Sequence, residues 1–233
     1  MTTQTLQNAI LKAGSAWEAW NALGVSKRIE KLSKAAQQLD QPIATWLMDR
    51  IGTTMPAVVE LPGPTGEANS LHWSGRGIIC VCADANPVDL DNAAYDTAIV
   101  AQLFTALATG NAVILQDTHK YTHRLHSVLL SAGIPEAVVQ LVSASLQDLT
   151  QQEAFHAYAF CGTSDTLAPL NQQLAQRGGM LAQLISETQF DTYPTITSLD
   201  YPWRFVTEST LSVNTTAVGG NATLLELGGK NDL

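Results

Sequence analysis

Between Gly77 and Ile185 short apolar runs alternate with longer helical patterns, and this alternation constrains the fold more than any other feature of the chain. Residues 78–82, 112–115, 138–142, 157–161 and 181–185 are apolar almost throughout. They lack the polar alternation of a strand with one wet face, so each reads as a strand buried on both sides. The helical patterns between them cover residues 92–109, 119–132, 146–152 and 164–177. Three of these end at glycines, Gly110, Gly133 and Gly178-Gly179, the residue best suited to a helix C-terminus. Strands joined through helices must run parallel and carry helices on both faces. The expected fold is therefore α/β, a Rossmann-like doubly wound parallel sheet of about five strands.

The flanks read differently. Leu6, Ile10, Ala13, Trp17 and Trp20 share one helical face, and Gly24 stops that helix. Ser26 is the expected cap of a second helix with Ile29, Leu32, Ala35, Ala36 and Leu39 inward. Pro42 suits the first turn of a third, with Ile43, Trp46, Leu47 and Ile51 on its apolar face. Residues 61–67, LPGPTGE, are too rich in breakers for anything but a loop. Near the other end Leu211 and Val213 alternate with Ser212 and Asn214, the pattern of a half-buried strand. Small residues follow from Thr215, a reversal is expected at Gly219-Gly220-Asn221, and residues 223–227 form a second apolar run. So little bulk makes no core of its own, and the segment reads as a clip that docks on another surface by adding a strand. The expected division is a helical segment over residues 1–60, a Rossmann-like domain over 61–200, and a β-flap with a C-terminal extension over 201–233.

Composition narrows the partners. The 233 residues are 45% hydrophobic and 14% charged, a bland surface of which part is expected to be covered. A net charge of −9 argues against nucleic acid and anionic lipid. No apolar run reaches transmembrane length, the first residues are too polar for a signal peptide, and three cysteines suit a reduced, cytoplasmic protein.

Candidate chemistry is sparse. After the first parallel strand the chain reads Ala83-Asp84-Ala85-Asn86-Pro87, where a dinucleotide-binding protein carries G-x-G-x-x-G. Asp84 instead brings negative charge to that position. Gly162-Thr163-Ser164 opens a helix, and reads better as a capped start than as an anion site. His119, His123 and His126 fall on one helix face, but only Asp117 lies near enough to extend a ligand set, so a solvated face is the better reading. Cys80 and Cys82 leave the same side of a strand as small hydrophobes. Cys161 has no evident base, and Glu187 reads as an exposed-type carboxylate beside Thr188 and Gln189. No catalytic, cofactor or metal residue is assigned.

Residues 61–71 (LPGPTGEANSL), 76–84 (RGIICVCAD) and 208–225 (ESTLSVNTTAVGGNATLL) closely resemble the C-terminal region of the proline utilization A family, PutA. The resemblance implies a polypeptide with a proline dehydrogenase domain and an aldehyde dehydrogenase domain that oxidises glutamate semialdehyde. Long members add a non-catalytic, aldehyde-dehydrogenase-like domain ending in a family-specific motif, and this chain reads as that domain, excised or separately expressed. Its departures from an aldehyde dehydrogenase are specific. ALATGNAVILQ (106–116) matches a strand after which a lysine holds the adenosine ribose; here Gln116 and Asp117 stand there. LISET (184–188) matches the motif of the catalytic glutamate, with Glu187 in register. LELGGK (225–230) resembles it too, but lies too far from Gly162 and continues the terminal motif. The catalytic domain that bears the cysteine nucleophile should follow the fifth strand, where only residues 188–202 precede the terminal segment, too few for a domain. The resemblance thus implies a structural partner of the other two domains that helps wall a cavity for the semialdehyde. Ser212, Asn214, Thr215, Thr216, Gly219, Gly220 and Asn221 are its expected docking residues. Self-association through a β-flap built from residues 71–74 and 203–211, or a residual NAD site near Asp84, Gln116 and Gly162, are the rival readings.

Overall fold

The computed structural model of the protein describes residues 3–55, 58–84, 92–118 and 120–215. In chain order the elements are α1 (Thr3–Ala22), α2 (Val25–Leu39), α3 (Pro42–Thr54), β1 (Val58–Leu61), β2 (Glu67–Gly75), β3 (Ile78–Ala83), α4 (Asn92–Ala108), β4 (Ala112–Gln116), α5 (Lys120–Ser131), β5 (Val139–Val142), α6 (Leu146–Thr150), β6 (Ala157–Cys161), α7 (Ser164–Gln176), β7 (Gln183–Glu187), α8 (Pro194–Thr197), a 3-10 turn (Tyr201–Phe205) and β8 (Val206–Asn214). They divide between two compact units. One joins Met1–Pro56 to Ser74–Thr207, and the other joins Ala57–Trp73 to Glu208–Leu233.

The larger unit is built on a five-stranded parallel sheet of order β5-β4-β3-β6-β7. Strands β3, β4 and β6 are buried at every position, as near-continuous apolar runs require. Successive side chains leave opposite faces. Cys80, Cys82, Ile114, Tyr158 and Phe160 meet Leu6, Ile10 and Ala13 of α1, Leu149 of α6, and Leu170 and Leu174 of α7. On the other face α4 packs on β3, β4 and β6, with α2 and α3 packed against α4. The sheet is doubly wound, its order reversing between β3 and β6.

Polar side chains fix the corners. Asn111, fully buried, accepts from Gly77 N through Oδ1 and donates through Nδ2 to the carbonyls of Ala106 and Phe205. It ties the α4–β4 turn to the end of the 3-10 turn. Arg28 is also buried. Its guanidinium donates to the carbonyls of Ala108 and Asn21 while the Trp20 indole donates to Leu107 O, so the last turn of α4 is capped by two side chains. Burial lowers the Arg28 pKa to about 10.

Several expectations need correction. Helix α2 is capped by Gly24, with no side-chain bond, and starts at Val25, so Ser26 lies inside it. Trp46 is 44% exposed rather than core; it stacks beneath Arg50, whose guanidinium sits 5.2 Å from the ring and donates to Ser198 O. The fifth parallel strand begins at Gln183, two residues later than expected, leaving Leu181 77% exposed. The breaker-rich stretch also proves shorter than its seven residues, because Leu61 ends β1 and Glu67 starts β2.

In the smaller unit β2 lies between β1 and β8, and β1 pairs with it antiparallel from Val58↔His72 to Leu61↔Asn69. Thr215 N donates to Gly66 O at 2.7 Å. Strand β8 is exposed from Thr207 to Asn214, with Leu211 54% and Val213 46% accessible. The strand is present, but the half-buried face expected of its alternation is not.

His156 generates a pH dependence. Its Nδ1 accepts from Ile78 N at 3.3 Å, and its ring lies where a Cβ on Gly77 would fall, a residue held at φ +134°. Burial, then the charges of Arg177 and Arg76, lower its pKa. The neutral ring is therefore favoured on folding. Its stabilisation is full above the unfolded value of about 6.5 and is lost as pH falls through the lower folded value. Urea unfolding between about pH 8 and 5 should show stability dropping more steeply in the parent than in His156→Gln below about pH 6.5.

Candidate functional site

Open parallel sheets bind ligands beyond the carboxyl ends of their strands, at the point where strand order reverses. Here that point lies between β3 and β6. Their register, ending at Ala83↔Cys161, sets Asp84 beside Gly162. The two loops are joined directly. Asp84 N donates to Cys161 O at 3.0 Å, and Thr163 N donates to the Asp84 carboxylate at 2.7 Å. Thr163 is the N-cap of α7, its hydroxyl accepting from Thr166 N. A Cβ on Gly162 would run into both the Phe160 ring and the Asp84 carboxylate, so close approach requires glycine. Tyr95 closes the floor: its hydroxyl donates to Asp84 O at 2.8 Å and to Cys161 O at 3.3 Å, and its ring packs on Phe190.

The neighbouring positions also face inward. Gln116 is buried; Oε1 accepts from Ala83 N and Nε2 donates to Ala144 O, both at 3.0 Å. The amide thus clamps β3 to the loop after β5. The hollow bounded by Val81, Ala83, Ile99, Leu115 and Gln116 has no room for a water molecule.

Glu187 corrects the sequence reading. It is 1% exposed, and its carboxylate accepts four backbone N–H groups: Thr188 and Gln189 on Oε1, Thr195 and Ile196 on Oε2, at 3.0–3.2 Å. It folds the chain after β7 back on itself and caps α8. A carboxylate so engaged has its lone pairs committed to the backbone and is poorly placed to accept a substrate proton. Cys161 is buried, and burial raises its thiol pKa well above the ordinary value, the opposite of an activated nucleophile. Cys80 is likewise buried and raised.

The histidine helix forms no ligand cluster among the described residues. His123 Nε2 lies 3.0 Å from Asp117 Oδ1 and a His126 ring nitrogen 3.1 Å from Val139 O; His119 lies outside the described residues. Of the expected docking residues, Ser212 and Asn214 stand on exposed β8 and Thr215 follows it. Thr216, Gly219, Gly220 and Asn221 lie outside the described residues. Sequence reasoning missed Tyr95 and the Asp84–Thr163 bond. An acid placed immediately after a buried strand was the available signal.

No protein-family model matches the sequence. The bifunctional protein PutA of Escherichia coli is 31% identical over 169 residues, 72% of this chain and 11% of that protein. The chain spans about a tenth of the length of the curated relatives it matches. Among solved structures, Bradyrhizobium japonicum proline utilization A superposes with a TM-score of 0.70 at 22% identity, over 81% of this chain and 22% of that one. An indole-3-acetaldehyde dehydrogenase superposes at 0.66 with 16% identity, over 80% and 49%. The chain is homologous to PutA and carries an aldehyde-dehydrogenase-type fold.

A capping Glu187 predicts a stability defect when it is removed. Glu187→Ala should lower the unfolding free energy by about 3 kcal/mol in urea titration, and Glu187→Gln, which keeps one acceptor oxygen, by less.

Proposed function

We propose that this PutA-related chain is a non-catalytic structural domain of a proline-catabolic enzyme. It packs on the aldehyde dehydrogenase domain and helps seal the cavity through which glutamate semialdehyde passes from the proline dehydrogenase site. The observation that carries the reading is the content of residues 188–205: β7 is followed by α8, the 3-10 turn and then β8. A nucleophile-bearing domain inserted after the fifth parallel strand has no place there, and Cys161 and Glu187 are committed to the interior.

The physical logic of the role is retention. A reactive, hydrated intermediate escapes unless its route is separated from bulk water, and a wall needs area and fit rather than reactive groups. The exposed run of β8 supports attachment by strand addition, in which backbone bonds hold the partner and small side chains such as Ser212 stay out of the way. The docking residues are then Ser212, Asn214, Thr215, Thr216, Gly219, Gly220 and Asn221. Deleting residues 211–233 from the polypeptide or complex that carries this domain should slow coupled proline-to-glutamate turnover and spare proline oxidation. Coupled turnover with neither loss nor lag would overturn the reading.

A second reading, self-association, is favoured by one observation: β8 is an exposed edge of the β1-β2-β8 sheet, the kind of edge that pairs with a second copy. Multi-angle light scattering of the chain alone separates the two. The wall reading expects a monomer, and a concentration-independent dimer would favour self-association.

A further inference from the structure

The fold type implies a nicotinamide dinucleotide across the carboxyl edge of the sheet, and the residues there do not fit one. A pyrophosphate needs free N–H groups at a helix start and an approach clear of negative charge. At α7, Thr163 N is already donated to the Asp84 carboxylate at 2.7 Å. Gly162, where a cofactor would come closest to backbone, donates its N–H to Glu187 O and has the Asp84 carboxylate against its Cα. Gln116, in register with the ribose-holding lysine, spends its amide on Ala83 N and Ala144 O.

We propose that Asp84 is a resident anion standing where a ligand phosphate would stand, so that the sheet is closed to dinucleotides by one of its own carboxylates. The carboxylate supplies what a phosphate oxygen would supply, an acceptor and a negative charge at the positive end of a helix. It does so intramolecularly, without the concentration dependence of a ligand. A dinucleotide would have to displace a tethered competitor and then lie beside its charge. Asp84 also joins β3 to α7, so the same contact that excludes the cofactor holds the two halves of the sheet together. This claim is separable from the docking role, because it concerns the sheet edge and not the terminal segment.

The test uses inorganic pyrophosphate as the probe, with sodium chloride at matched ionic strength, read by thermal unfolding and by calorimetric titration. The parent chain and Asp117→Asn, which makes the same charge change one strand away, should show no pyrophosphate-specific stabilisation at millimolar concentration. Asp84→Ala should gain it, with affinity at least about tenfold above the parent. Asp84→Asn keeps the side chain's volume and an acceptor while removing the charge, and serves if the alanine variant fails to fold. It should show a smaller gain. Saturable binding of pyrophosphate or NAD to the parent, or folded Asp84 variants as inert as the parent, would overturn the proposal. A gain of equal size in Asp117→Asn would do the same, by reducing the effect to net charge.

Discussion

The parallel pairing of β3 with β6 is the contact on which the molecule depends. It is the central seam of the sheet, with both strands buried on both faces, and it is where the direction of winding reverses. A seam of this kind brings two loops out side by side. What those loops do with their backbone groups decides whether the edge is a cleft or a closed surface. Among the described residues, side chains of the chain itself take several of these groups. Asp84 takes the amide of Thr163, Gln116 takes that of Ala83, and Glu187 takes four after β7.

That choice has an energetic rationale. Buried polar groups without partners cost about 1–3 kcal/mol each, and a ligand-free cleft leaves donors to water. Acceptors supplied by the chain's own side chains remove that cost. An acid after β3 and an amide at the end of β4 do this at the seam. Glu187, at the end of β7, caps the backbone that follows it. Homology to PutA places these side chains in a scaffold whose other representatives include enzymes, so the inward turn of each is the informative feature.

Most of the architecture was legible. The apolar runs and the glycines between them gave five parallel strands, and β6 was placed to the residue. The misreadings have physical causes. Met180 and Leu181 are apolar but open the fifth strand region in solvent, and a hydrophobic pattern cannot distinguish an exposed Leu181 from a buried Ile185. Arg28 drew no reading, because the carbonyls at the end of α4 that hold it inside are distant in sequence. Glu187 looked exposed because nothing local announces that Thr195 and Ile196 return to it. Asp84 was noticed for its charge. Its bond to Thr163 depends on a strand register that no local pattern encodes.

The uncovered strand β8 bears on how such a chain is made. From Val206 to Asn214 its only ionised side chain is Glu208, and bare edges of this kind recruit copies of themselves. In chain order β8 follows all five strands of the parallel sheet, so the sheet can close before this edge is formed. An edge strand with so little charge depends on cover, from a second strand or from added charge, to stay out of such pairing.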